Sequence, residues 1–156
     1  MEKNSNLIRE FLSSFQSAYK IAKDKTLARI GDNVVNLAYS IAVFILTKRK
    51  AGKKVPGKIL STALRESSLR VYAGSRQDAH SLADVVEALI GYCWLKGDLT
   101  LDTMVRILTE NMDSNIKKRS CFESVKAFKK ILEEIDSVLS RDCVKQDRLK
   151  NGETVY

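Results

Sequence analysis

LADVVEALIGYCWL, residues 82–95, is the stretch that decides the fold. Its only charges are Asp84 and Glu87, one helical turn apart, and Gly91 follows one turn further on. A second stretch, residues 27–46, reads LARIGDNVVNLAYSIAVFIL, with Arg29, Asp32, Asn33, Asn36 and Ser40 as its polar side chains. At 3.6 residues per turn, each polar set falls on one narrow stripe of a helix that is apolar elsewhere. Such helices are buried on most of their surface, and a carboxylate at the edge of a core is costly unless a cation meets it. A divalent metal is one such cation, and an arginine or lysine is the other. Gly31 and Gly91 flank the acidic positions, and a glycine inside a helix costs about 1 kcal/mol relative to alanine. Each is therefore expected to permit close approach of a second helix or of a ligand.

Working outward, the chain of 156 residues suits one domain with an adequate core. One proline, seven glycines and long apolar stretches without hairpin signals predict an all-α chain of five to six helices. The first is expected over about 5–23, the second over about 26–48, and the third from Pro56 to about Arg65. Ser75-x-x-Asp78 is read as the cap of a fourth helix that Gly97 stops. A fifth covers about 100–115, and Ser120-Cys-Phe-Glu123 has the form of a capping box opening a sixth, which ends near Leu139 or Ser140. The domain is thus expected over 1–140, with 141–156 a polar tail that frays. The N-terminus has no apolar signal core, and the longest nearly apolar run, Leu37 to Leu46, is too short to cross a bilayer. Cys93, Cys121 and Cys143 show no CxxC spacing. They read as reduced thiols of a cytoplasmic protein with no membrane partner.

Lysine and arginine total 27 against 19 acids, a net charge of +8, with a pI near 9.4. That excess suits a polyanionic partner, nucleic acid being the usual one. Lys48, Arg49, Lys50, Lys53, Lys54 and Lys58 form a run without an acid, placed where the second helix ends. Cations also favour helix C-termini, so part of that run has a structural reason. Lys117, Lys118 and Arg119, then Lys126, Lys129 and Lys130, alternate with apolar residues as on an ordinary solvated face.

Asp84 and Glu87 share a helix face and together offer hard oxygen ligands to one divalent ion. A D-x-x-E turn alone is common and usually solvated; the apolar surroundings, the matching stripe at Asp32 and the two glycines set this one apart. Asn36 lies one turn after Asp32, able to offer a carbonyl oxygen, position a water, or make an ordinary hydrogen bond at a helix contact. His80 falls four residues before Asp84, in line to orient it or to touch phosphate, or else to serve as a structural partner. Arg29 and Arg76 are candidate phosphate contacts that could equally neutralise a nearby acid. Tyr92, Cys93 and Trp94 read as core or subunit contact.

Leu27-Ala-Arg-Ile-Gly-Asp32, followed by an apolar helix, resembles the signature helix of the ribonuclease III family. Ala83-Asp-Val-Val-Glu-Ala-Leu-Ile-Gly91 is similar, nearly letter for letter, to that family's second motif. The resemblance covers about 25–135. It implies an all-α endonuclease domain, a homodimer, and cleavage of double-stranded or structured RNA with Mg2+ or Mn2+. Carried over by position, the implied metal ligands and catalytic residues are Asp32, Asp84 and Glu87. No double-stranded-RNA-binding domain is read after them, as in the compact members of the family.

The sequence departs from the family at two positions. The signature has a glutamate one turn before the aspartate, where this chain has Ala28, and another a further turn back, where it has Lys25. The first is also relaxed in the compact branch, yet its loss removes one oxygen ligand. Two readings stand: a metal-dependent endoribonuclease, or a weakened ribonuclease III-like domain that binds RNA or ribonucleoprotein without cutting it. A helical nucleotide pyrophosphohydrolase ranks below both, since its site pairs two acidic turns and one is found here. An HD-type phosphohydrolase needs several histidines, and His80 is the only one.

Overall fold

Residues 79–96 are apolar almost all the way round, and a helix of that kind belongs in the middle of a bundle. The computed structural model, which describes residues 2–50, 52–115 and 121–150, places it there. The described residues form seven α-helices and one 3-10 helix, with no strand among them: α1 (Glu2–Ser13), α2 (Ala18–Lys23), α3 (Lys25–Thr47), α4 (Gly57–Arg65), the 3-10 turn (Ser68–Tyr72), α5 (Ala79–Lys96), α6 (Leu101–Asn111) and α7 (Cys121–Lys150). The all-α expectation holds, with more helices than the five or six read from the sequence. Central α5 packs most extensively on α3, and also on α4 and α2; α7 closes over α4 and α6.

The α3–α5 contact depends on glycine. A Cβ at Gly31 would collide with the backbone carbonyl of Glu87, and one at Gly91 would collide with the Leu27 carbonyl. Residue 31 therefore faces 87 while 27 faces 91, so the two helices run antiparallel with their backbones in contact. Around this crossing Leu27, Leu82, Val86, Leu89 and Ile90 are buried, each contributing about 1.5–3 kcal/mol by leaving water. By length and apolar content α3 passes for a membrane-spanning helix, but its inner face (Leu27, Val35, Ala38, Ala42) is core packed on α5 and α6. Its outer face leaves Leu37, Phe44 and Ile45 exposed.

Five boundaries differ from the sequence reading, one of them the end of α6 at Asn111, short of the expected 115. The expected first helix is two, because Ser13 and Ser14 turn their hydroxyls back on Glu10 O and Phe11 O. Ser17 then caps α2 by accepting from the Lys20 N–H, the usual competition of serine with helix continuation. Pro56 is the N-cap of α4 and lies outside its first turn. The cap of α5 is Asp78, which accepts from the Ser81 N–H at 2.8 Å; that bond holds the Asp78 carboxyl below its ordinary value. Arg76, at φ 57°, turns the chain between Ser75 and the helix, which is why Ser75 does not cap. Finally, α7 runs on to Lys150, past the expected end at Leu139 or Ser140. Val138 and Leu139 are buried there, and residues 141–150 contain no glycine or proline to stop the helix. Asp142 also takes the Lys96 ammonium at 2.6 Å. Apolar periodicity is lost there in the sequence, yet the backbone helix continues. Of the expected frayed tail, 151–156 lie outside the described residues, as do Lys117, Lys118, Arg119 and Ser120 of the basic cluster and the capping box. Glu123, the far end of that box, accepts from the Asp113 N–H at 3.1 Å.

Candidate functional site

The antiparallel crossing of α3 and α5 brings two remote acidic stripes to one place. Asp32, Asp84 and Glu87 line a single open cleft of about 790 Å³, with Lys25, Arg29, Lys54 and His80 also on its wall. Asp84 is the more enclosed aspartate, its side chain 19% exposed against 36% for Asp32. Burial first, then the negative charges of Asp32 and Asp84, push the Glu87 carboxyl up from 4.5 to about 7, against an opposing pull from Lys54. Near neutrality Glu87 is therefore divided between acid and carboxylate, and in its protonated form it donates a hydrogen bond to Asp32.

Both aspartates already have cationic neighbours. Lys25 Nζ sits 2.6 Å from Asp84 Oδ2, and Lys54 Nζ lies 3.9 Å from Asp32 Oδ1. The lysine side chains are 76% and 77% exposed, so solvent screens them and each pair is weakly held. Of the two ways of meeting a carboxylate at the edge of a core, lysine is the one seen at both aspartates. Among the described residues no three His, Cys, Asp or Glu side chains are gathered tightly enough, as placed, to grip an ion. The donor chemistry still fits Mg2+ or Mn2+, because three hard carboxylates share one cleft and their mutual repulsion is what a divalent cation relieves.

The remaining candidates separate. Asn36 does not offer its carbonyl oxygen to the cleft: Oδ1 accepts from the Val55 N–H at 2.8 Å, while Nδ2 donates to Asp32 Oδ1 at 2.8 Å. Ser40, one turn on, donates to Lys53 O at 3.1 Å and accepts from the Lys53 N–H at 2.9 Å. The polar stripe of α3 is thus a clasp that pins residues 53–55 and sets Lys54 beside Asp32. His80 Nε2 lies 3.9 Å from Asp84 Oδ1 with its side chain 86% exposed, an electrostatic neighbour beyond hydrogen-bond range. Arg29 is exposed on the cleft wall. Lys48, Arg49, Lys50, Lys53 and Lys58 are exposed but do not line the cleft, and neither does Arg76. Tyr92 and Cys93 are core, whereas Trp94 is 40% exposed. Burial lifts the Cys93 thiol to about 12, so it is inert packing.

Sequence reasoning did not foresee Lys25 as the partner of Asp84. The two are 59 positions apart, and no local signal joins them. A family model described as Ribonuclease III matches residues 25–141, from the first residue of α3 into α7. No curated protein matches the sequence.

Proposed function

The chain belongs to the ribonuclease III family, and from that premise we propose that it is an endoribonuclease that hydrolyses phosphodiester bonds of double-stranded or structured RNA with Mg2+ or Mn2+. The observation that carries this reading is the meeting of Asp32, Asp84 and Glu87 in one cleft, with Glu87 driven up to about 7 by burial and then by its acidic neighbours. These three carboxylates would hold the ion. When bound, such an ion supplies Lewis-acid stabilisation of phosphoryl charge and a more acidic water. Glu87, titrating near neutrality, can keep or release a proton at its carboxyl oxygen in the same place. Arg29 and Lys54 on the rim, and the exposed run from Lys48 to Lys58 beyond it, would grip backbone phosphates. An A-form duplex would be read by shape and 2′-hydroxyls, with little base identity.

A homodimer belongs to this reading. Leu37, Phe44 and Ile45 stand exposed on the outer face of α3, and the same face of a second copy would cover them about a two-fold axis. The free Cys93 and Cys121 accord with a cytoplasmic setting.

One observation favours a second reading, an RNA-binding module that no longer cuts. Ala28 and Lys25 stand where the family has glutamates, and Lys25 already neutralises Asp84. Incubating duplex RNA with the protein and Mg2+ or Mn2+ separates the two. Cleavage that disappears in Glu87→Gln and Asp84→Asn supports the enzyme; a duplex that is bound but stays intact under both ions supports the binding module.

A further inference from the structure

Lys25 is the first residue of α3, a position where the helix dipole disfavours a cation. The N-cap, Asp24, spends its side chain on the Leu27 N–H at 2.7 Å. What compensates the lysine is Asp84, on another helix, at 2.6 Å. The two partners are unequal. Asp84 is largely enclosed and needs a counter-charge, whereas the lysine side chain is 76% exposed and can leave without uncovering core. The pair also stands between two spaces: Lys25, Ala28 and Asp84 line both the main cleft and a smaller cavity of about 230 Å³ that reaches Tyr72, Gly74 and Gln77. Small Ala28 beneath the pair leaves the ammonium room to swing toward that second space.

We propose that Lys25 is a tethered counterion that competes with a divalent cation for the Asp84 carboxylate and so sets the metal affinity of the cleft. The inference rests on the metal-dependent reading of the site. The ammonium occupies Asp84 Oδ2, and its positive charge opposes a divalent ion arriving at either oxygen of the same carboxylate, so the free energy of the pair is subtracted from metal binding. Linkage makes the effect reciprocal: whatever draws Lys25 away, a phosphate included, favours the ion.

The test titrates Mn2+ into the full chain, reading free Mn2+ by its electron paramagnetic resonance signal and the ion-induced rise in Tm. Lys25→Met keeps the aliphatic stem and removes the charge; its Kd for Mn2+ is expected to fall about five- to tenfold below wild type, with a larger Tm rise. Lys25→Arg, which keeps the charge, should stay within about twofold of wild type on the same coupling. Lys130→Met, an exposed lysine on α7, should leave Mn2+ affinity unchanged and controls for net charge. Lys25→Gln serves should the methionine variant fold poorly. Equal or weaker Mn2+ binding by the uncharged variants overturns the competition while leaving the metal reading intact. Absence of binding in every protein, wild type included, overturns both.

Discussion

Glu87→Gln should stabilise this protein at alkaline pH and leave it unchanged in acid. The Glu87 carboxyl is raised from 4.5 to about 7, by burial first and then by Asp32 and Asp84. A carboxyl raised on folding favours its neutral form. Its contribution to stability is complete below about 4.5 and is lost as pH climbs through about 7. Glutamine is neutral throughout and can still donate to Asp32, so it escapes that loss. The full free-energy equivalent of the shift is about 3.4 kcal/mol. Glu87 is only partly buried, and solvent screening reduces the figure to about 1–2 kcal/mol. In a chain of this size that corresponds to a Tm higher by about 2–8 °C. Urea unfolding of both proteins at pH 4.5, 6, 7 and 8, without divalent ions, checks it. The two should coincide at the lowest pH and separate steadily above it. A variant as stable as wild type at pH 8, or less so, would refute the claim that burial and the neighbouring acids disfavour an ionised Glu87 at this cleft. Saturating Mn2+ should narrow the gap by stabilising wild type and not the variant.

Gly31→Ala should cost at least about 3 kcal/mol, beyond ordinary overpacking, because the new methyl meets the Glu87 backbone carbonyl; denaturant melts check it, and a loss below about 1 kcal/mol would mean the helices can separate cheaply. Asn36→Ala removes both the Val55 and the Asp32 hydrogen bonds, an expected loss of about 1–2 kcal/mol with faster proteolysis between Lys48 and Pro56; an unaltered digestion pattern would deny the clasp. Affinity for an uncleaved duplex should fall roughly a thousandfold between 50 and 200 mM salt if about six phosphates are contacted, and a flat salt response would remove the basic run from the interface. Phe44→Glu, on the exposed face of α3, should leave a monomer by light scattering with the melt little changed. A wild type that is itself monomeric at micromolar concentration would refute the dimer.

The sequence by itself marked out an all-α chain, the two apolar helices that are α3 and α5, and the three acids worth watching. Helical periodicity is a short-range property: Asp84 and Glu87 share a face because they are three residues apart, whatever the rest of the chain does. Gly31 and Gly91 announced a close approach, and the crossing of two backbones there accounts for both. Boundaries were read less well where serine hydroxyls compete with the helix, as at Ser14 to Ser17, or where a helix outlives its apolar periodicity, as α7 does beyond Leu139. What only the tertiary structure decided is the electrical state of the cleft. The placement of Lys25 on Asp84, the lift of Glu87 by burial and by charges on two helices, and the use of Asn36 to tie down Val55 arise when α3, α5 and the connector are stacked. Charge interactions act through space, so residues 59 apart in the chain carry no trace of each other until folding sets them side by side.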